Sequence, residues 1–449
     1  MNKSKSLYYS FLDGIFASVM TGFTMNYVVP FGLVLGAKNI HVALLNALPQ
    51  LFSSIAQLRT AEIVERLKSR LKIISLFVFL HGISYLIVIS LLFVPQNFKI
   101  QWFIFLTTLS SVLTAVAAPA WWSLMSDTVD KDKYGEYFAW RGKVLGFVSL
   151  VSSFIAGWFL GVIDNKFMGF IILFFLSGLS RLISGYFISK MDDIETKVSS
   201  EKNFSYFDFL KRFKESNFVK YVFFVALFNL GVSISSPFFS VYMLRELKMT
   251  YLEYTIVTIS TALAGLLFLP FWGKTADKIG NVKVIKVTGL LICLLPILWI
   301  FSKNFLYLIL INSFAGYVWA GFNLSTVNFI FDVASQETRT RCVGYFNFTN
   351  GIFIFLGTMF SGWLATHLPD LVKGSKLLTL FLLSGILRTI VVFVCKNKFY
   401  EVKKVEQIET KDFLLTVLGV KPVLDFSKDL FYPLVKLKKN KKFVYINYE

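Results

Sequence analysis

The chain is made of apolar runs that reach about 20 residues, separated by short polar links. A buried strand needs only about 4–8 residues, so runs this long fit neither strands nor the core of a soluble α/β enzyme. As helices they match the thickness of a lipid bilayer. The spans fall near 8–35, 41–60, 72–94, 101–125, 139–163, 167–189, 218–243, 253–273, 283–301, 304–331, 343–365 and 374–395. Some exceed the hydrocarbon thickness, which predicts tilt. The expected fold is an all-α polytopic membrane protein of twelve transmembrane helices.

Charge placement sets the expected orientation. Of 46 Lys and Arg, 36 fall in the termini and the links on the same side as the termini, and 8 in the opposite loops. Such a bias puts both ends in the cytoplasm, in a cytoplasmic (inner) membrane. The net charge of +19 is therefore spread over links rather than gathered on a basic domain, which argues against a nucleic-acid partner. The start is basic, but its apolar stretch runs on to about Gly36 without a cleavage site, so it reads as an uncleaved first span. Asn2 excludes myristoylation.

The longest internal break, 190–217, reads as a cytoplasmic linker whose later part, Tyr206 to Phe213, forms an amphipathic helix on the leaflet. The tail, 396–449, has an apolar cluster at 413–420 and a basic stretch at 436–442 suited to anionic headgroups.

The spans repeat as six plus six. Leu176-Ser177-Gly178-x-x-Arg181-x-Ile183 recurs as Leu383-Ser384-Gly385-x-x-Arg388-x-Ile390 at an offset of 207, and Pro30-Phe31 recurs as Pro237-Phe238 at the same offset. Tyr137-Phe138, Gly157-Trp158 and Asp127 recur at offsets of 208, 205 and 205. Ordered matches at near-constant spacing predict two pseudo-symmetric six-helix bundles, 1–189 and 218–395, a recurrent transporter architecture.

At the link between the second and third spans of the later half stands Gly273-Lys274-Thr275-Ala276-Asp277-Lys278-Ile279-Gly280. The earlier half has a degraded form, Glu65-Arg66-Leu67-Lys68-Ser69-Arg70, with Lys68 in place of the glycine. Here the chain resembles the major facilitator superfamily over about 8–395. That resemblance implies alternating access and a cytoplasmic gate built from Glu65, Arg66, Asp277 and Lys278. Asp127 with Arg141, and Asp332 with Arg339 and Arg341, would extend the gate in each half. Asp13-Gly14, Leu48-Pro49-Gln50 and Gly135-x-Tyr137-Phe138-x-x-Arg141 further resemble a poorly characterised bacterial branch of that superfamily, which fixes no substrate.

The resemblance implies a cavity lined by the first, fourth, seventh and tenth spans. Amides within apolar spans need partners, either another helix or a ligand. The route candidates are Asn26, Gln50, Asn229, Asn323 and Asn328, with Trp121 or Trp122 as a stacking surface. Asp13, a carboxylate near the start of the first span, is the candidate for proton coupling. Arg181 and Arg388, equivalent by the repeat, are expected to bond structurally or to snorkel away from the cavity. His81 is expected to be a bonded structural residue.

Three scattered cysteines predict neither a disulfide framework nor a metal site, and GxxxxGK[ST] is absent. Neither an enzyme nor a cofactor is expected. The expected function is secondary or facilitated transport of a small solute by a monomer, with protons as the candidate coupling ion. A lipid or amphiphile translocase, a drug exporter and a non-transporting receptor or scaffold are the alternatives.

Overall fold

The computed structural model describes residues 3–67, 69–130, 133–193, 205–334, 339–403, 405, 413–414 and 417; side chains 59–67, 339 and 340 lie outside the description. Twelve long helices run in order through it: α1 (Lys3–Val34), α2 (Asn39–Leu67), α3 (Arg70–Leu92), α4 (Gln96–Thr128), α5 (Tyr134–Val162), α6 (Lys166–Ser189), α7 (Asn217–Glu246), α8 (Tyr251–Ile279), α9 (Asn281–Leu298), α10 (Phe305–Val333), α11 (Arg339–His367) and α12 (Lys376–Cys395). Among the described residues, eleven are long and apolar enough to cross a membrane. The twelfth, α2, ends on a charged stretch containing Glu62, Glu65 and Arg66.

Local chemistry starts and stops these helices. Ser69, Asn165, Ser216, Asn304 and Ser375 accept from backbone N–H groups in the first turns of α3, α6, α7, α10 and α12. Thr250 and Glu253 form a reciprocal capping box on α8. Gly280, at φ +91°, ends α8 and turns directly into α9, a conformation that disfavours a side chain.

Helices α1–α6 pack with one another, and α7–α12 repeat the arrangement: α1 lies against α5 and α6 as α7 lies against α11 and α12. Small residues set the close crossings. A Cβ at Gly22 would stand 2.5 Å from the Ser149 carbonyl oxygen of α5, and one at Gly357 would stand 2.5 Å from the Leu230 carbonyl oxygen of α7. Between the halves the main seams are α2 on α11 and α5 on α8.

The core is not evenly shared. At the face away from the termini, a single buried cluster joins both halves, with Tyr27, Phe31 and Phe170 packed in common with Ile234, Phe238 and Tyr254. Toward the termini the halves have separate cores: Ile73, Ile74, Leu124 and Met125 in the first, and Tyr221, Phe228, Trp272 and Phe329 in the second. The buried core is therefore shared at one end and separate at the other, where α2 and α11 still touch through Asn347 Nδ2 donating to Gln57 Oε1 at 3.0 Å.

Two segments differ from expectation. The helix Tyr206–Lys211 does not simply lie on the leaflet: Phe209 is buried beside Phe218 and Tyr345, although Phe207 and Phe213 are exposed. In the tail, Phe413 and Val417 are likewise buried in the second bundle's core, where a protein surface competes with lipid for their apolar area. The basic stretch 436–442 lies outside the described residues.

Candidate functional site

A cavity of about 430 Å³ lies between the halves, a size suited to a small organic solute. Its walls include Asn26 and Asn46 of the first half, and Ser240, Asn312, Trp319 and Arg388 of the second. Helix α1 is broken there, with Met25–Tyr27 forming a turn between two helical segments. Such a break inside a membrane requires its freed polar groups to find partners. Tyr254 Oη donates to the Asn26 carbonyl at 2.7 Å, and Tyr27 Oη bonds the Ser153 carbonyl and Thr255 Oγ1, each at 2.7 Å.

Those bonds also close the face away from the termini. Tyr27 to Thr255 and Tyr254 to Asn26 cross between halves, as do Asn39 Nδ2 to the Ala365 carbonyl (3.0 Å) and Arg245 to the Ala37 carbonyl. Toward the termini a second, more open groove, bounded by α5, α8 and α10, shares Thr261 and Trp319 with the cavity.

The predicted amides do not converge. Asn26 lines the cavity, and Asn323 lines the groove instead. Asn229 donates to Asn350 Oδ1 at 2.9 Å, so α7 and α11 use each other's amides to satisfy it. Gln50 sits at the α2–α11 seam, with its carbonyl facing Gly351. Asn328 is part-buried in α10 and lines neither space. Trp121 and Trp122 also line neither: Trp121 lies under the Arg141 guanidinium at 4.7 Å, and the exposed Trp122 packs on Phe138. Helical spacing could not separate these positions, because it gives a face but not the neighbour on it.

Asp13 is more deeply placed than its position in the chain implied. It is 3% exposed, accepts from Ser184 Oγ at 2.6 Å, and has Arg141 and Arg181 nitrogens at 3.7 and 3.8 Å. Arg181 also donates to Ser184 Oγ (2.9 Å) and to His81 Nδ1 (3.1 Å), a role for Nδ1 that leaves the imidazole neutral. One carboxylate thus faces two guanidiniums inside the first half.

Arg181 and Arg388 do not snorkel: Arg181 is part-buried and bonded within the first half, Arg388 is buried, and they are not alike. Arg388 lines the cavity and, among the described residues, donates to Ser235 Oγ and to carbonyls of Gly231, Val232 and Ile292. Sequence reasoning placed it away from the cavity because helices were assigned whole, whereas a long side chain can cross to its neighbour's far side.

The gate residues are also arranged differently. Asp127 pairs with Arg70 at 2.8 Å, not with Arg141, which turns inward to Asp13 and the Ser10 carbonyl. Asp332 bonds Asn281 Nδ2 and Lys403 Nζ, each at 2.7 Å. In each half, the acid ending the fourth helix thus clamps the first turn of the third. Asp277 and Lys278 are exposed on the last turn of α8, and Arg341 is part-buried at the start of α11. Side chains of Glu65, Arg66 and Arg339 lie outside the description.

The tail reinforces the second clamp. Glu401 Oε2 accepts from the Val282 N–H at 2.9 Å, capping α9 beside Gly280. The Asp332 bond raises the Lys403 pKa above its usual 10.5, so the lysine is charged at neutral pH and the contact weakens as pH rises through that higher value.

A sequence profile of the Major Facilitator Superfamily matches residues 221–433. No curated protein sequence matches the chain significantly. Among solved structures it is similar to a point mutant of the nucleoside transporter NupG, with a TM-score of 0.69 at 13% identity over 87% of this chain and 100% of that one. A D-xylose–proton symporter gives 0.67 at 13% identity over 90% and 99%. A POT family transporter in complex with a thioalcohol-conjugated peptide gives 0.67 at 13% over 86% and 94%. The chain is thus a multi-pass helical membrane protein with the fold of these transporters, and its second half matches the Major Facilitator Superfamily.

Proposed function

We propose that the protein carries a small polar solute across the cytoplasmic membrane by alternating access, working as a monomer with both termini in the cytoplasm. The observation that carries this reading is the cavity between the halves, sealed at one face by a shared core and joined to an open groove at the other. The units 1–189 and 218–395 are the moving bodies, and 190–217 connects them. The clamps at Asp127 and Asp332 stiffen the cytoplasmic ends of each bundle, so that closure occurs between rigid pieces.

Asp13 is the proposed coupling residue. Protonating it would release two guanidiniums from the one carboxylate that pairs with them among the described residues, and so loosen α1 from α5 and α6. Uptake into proteoliposomes, with and without an imposed proton gradient, tests both parts. Solute exchange that saturates supports carriage, and its acceleration by the gradient in wild type but not in Asp13→Asn supports coupling. Absence of saturable exchange for any solute contradicts carriage.

The amphiphile reading draws on the groove's leucines, Leu150, Leu266 and Leu269. It predicts transfer of a fluorescent lipid between leaflets, and no competition by polar solutes.

A further inference from the structure

Arg388 stands where the two-fold repeat fails. Its counterpart Arg181 has Asp13 nearby, but the position 207 residues after Asp13 is Lys220. Among the described residues no carboxylate lies within ion-pair distance of Arg388. The acids of the helices around it sit at the ends: Glu246 and Glu253 at the sealed face, Asp277 and Asp332 toward the termini. Its guanidinium is held instead by Ser235 Oγ at 2.5 Å and by carbonyls of Gly231, Val232 and Ile292 at 3.2–3.5 Å. Those carbonyls are neutral dipoles, Gly231 and Val232 within α7 and Ile292 one turn before Pro296, which has no N–H to donate to it, so they orient the charge without neutralising it.

The residue is 2% exposed, and yet it forms part of the cavity wall. A desolvated cation with no protein anion is an unstable arrangement unless an anion visits it. The interior as a whole has the same imbalance, with Asp13 set against Arg141, Arg181 and Arg388. A guanidinium fork is matched in geometry to carboxylate and phosphate oxygens. Asn26, Asn46 and Asn312 offer amides to a polar body, and Trp299 and Trp319 offer rings.

We propose that the transported solute is a small organic anion, with a carboxylate or phosphate head that pairs with Arg388 in the central cavity. This rests on the transport reading above. Purified full-length protein is heated with L-lactate, glucose 6-phosphate or inorganic phosphate, and separately with uncharged glucose or uridine. The same solutes are then tested for counterflow in proteoliposomes.

Stabilisation and counterflow by an anionic probe, and by no uncharged one, is the expected result. The responding probe decides between carboxylate and phosphate. Arg388→Gln is expected to weaken that binding about tenfold or more, and Arg388→Lys less, since a charged hydrogen bond is lost in the first and only reshaped in the second. If Arg388→Gln does not fold, wild-type selectivity and Arg388→Lys decide.

Uncharged probes that bind and exchange where anions do not overturn the inference and leave the transport reading standing. So does anion binding that is equally tight in Arg388→Gln. If no probe binds or exchanges, both readings fall.

Discussion

Asp13 is held between Arg141 and Arg181 by distances too long for strong direct bonds and too short for indifference. Removing its charge leaves both guanidiniums buried without a counterion, a change expected to lower stability by about 3–5 kcal/mol. Asp13→Asn should therefore melt well below wild type in detergent, and adding Arg181→Gln should recover part of the loss because the two sites share one interaction. Equal melting of Asp13→Asn and wild type would show the cluster to be electrostatically idle. The sequence identified Asp13, Arg181 and His81 as unusual, since charge is rare within apolar spans. It did not reveal that Ser184 and Arg141 join them, because a serine and a helix-end arginine carry no such rarity. The same blindness hid Tyr27 and Tyr254, whose hydroxyls close the sealed face but whose rings look like any other aromatic in this chain.

At the scale of the element, the helices were legible almost throughout, because a 20-residue apolar run leaves about one choice of structure in a bilayer. The break in α1 at Met25–Tyr27 has its sign one turn further on, where Pro30 has no N–H to offer the Asn26 carbonyl, and counting apolar spans does not register it. Of the two glycines in the link motif, Gly273 and Gly280, only Gly280 takes a positive φ. Gly280→Ala is expected to cost about 1–3 kcal/mol, from backbone strain together with displacement of the Glu401 cap. Glu401→Gln, which keeps a neutral acceptor, should cost less than Glu401→Ala. Urea or thermal unfolding of the three variants checks the order. At the tight crossings, Gly22→Leu and Gly357→Leu should each destabilise by about 1–3 kcal/mol or more, since the obstructing atoms are backbone carbonyls that cannot rotate away. Variants that express and melt like wild type would mean that the helices pack more loosely than described.

For the whole molecule, repeat spacing and positive charge anticipated two bundles and a common side for the termini. The sealed end could not be foreseen, because it depends on which aromatic clusters meet across the halves. A core shared at one face, separate cores at the other and a cavity between them fit one state of the proposed alternating carrier. The opposite state must break the Tyr27–Thr255 and Tyr254–Asn26 bonds while the α5 and α8 ends approach near the termini.

Pulsed spin-label distances in a cysteine-free background measure this directly. One pair is Glu136→Cys with Lys274→Cys, at the α5 and α8 ends near the termini, and the other is Asp164→Cys with Lys248→Cys, at the sealed face. On titration with a solute that stabilises the protein, the first distance is predicted to shorten as a population at longer distance emerges in the second. Two distances that stay fixed, or that change in the same direction, would contradict alternating access by these bundles.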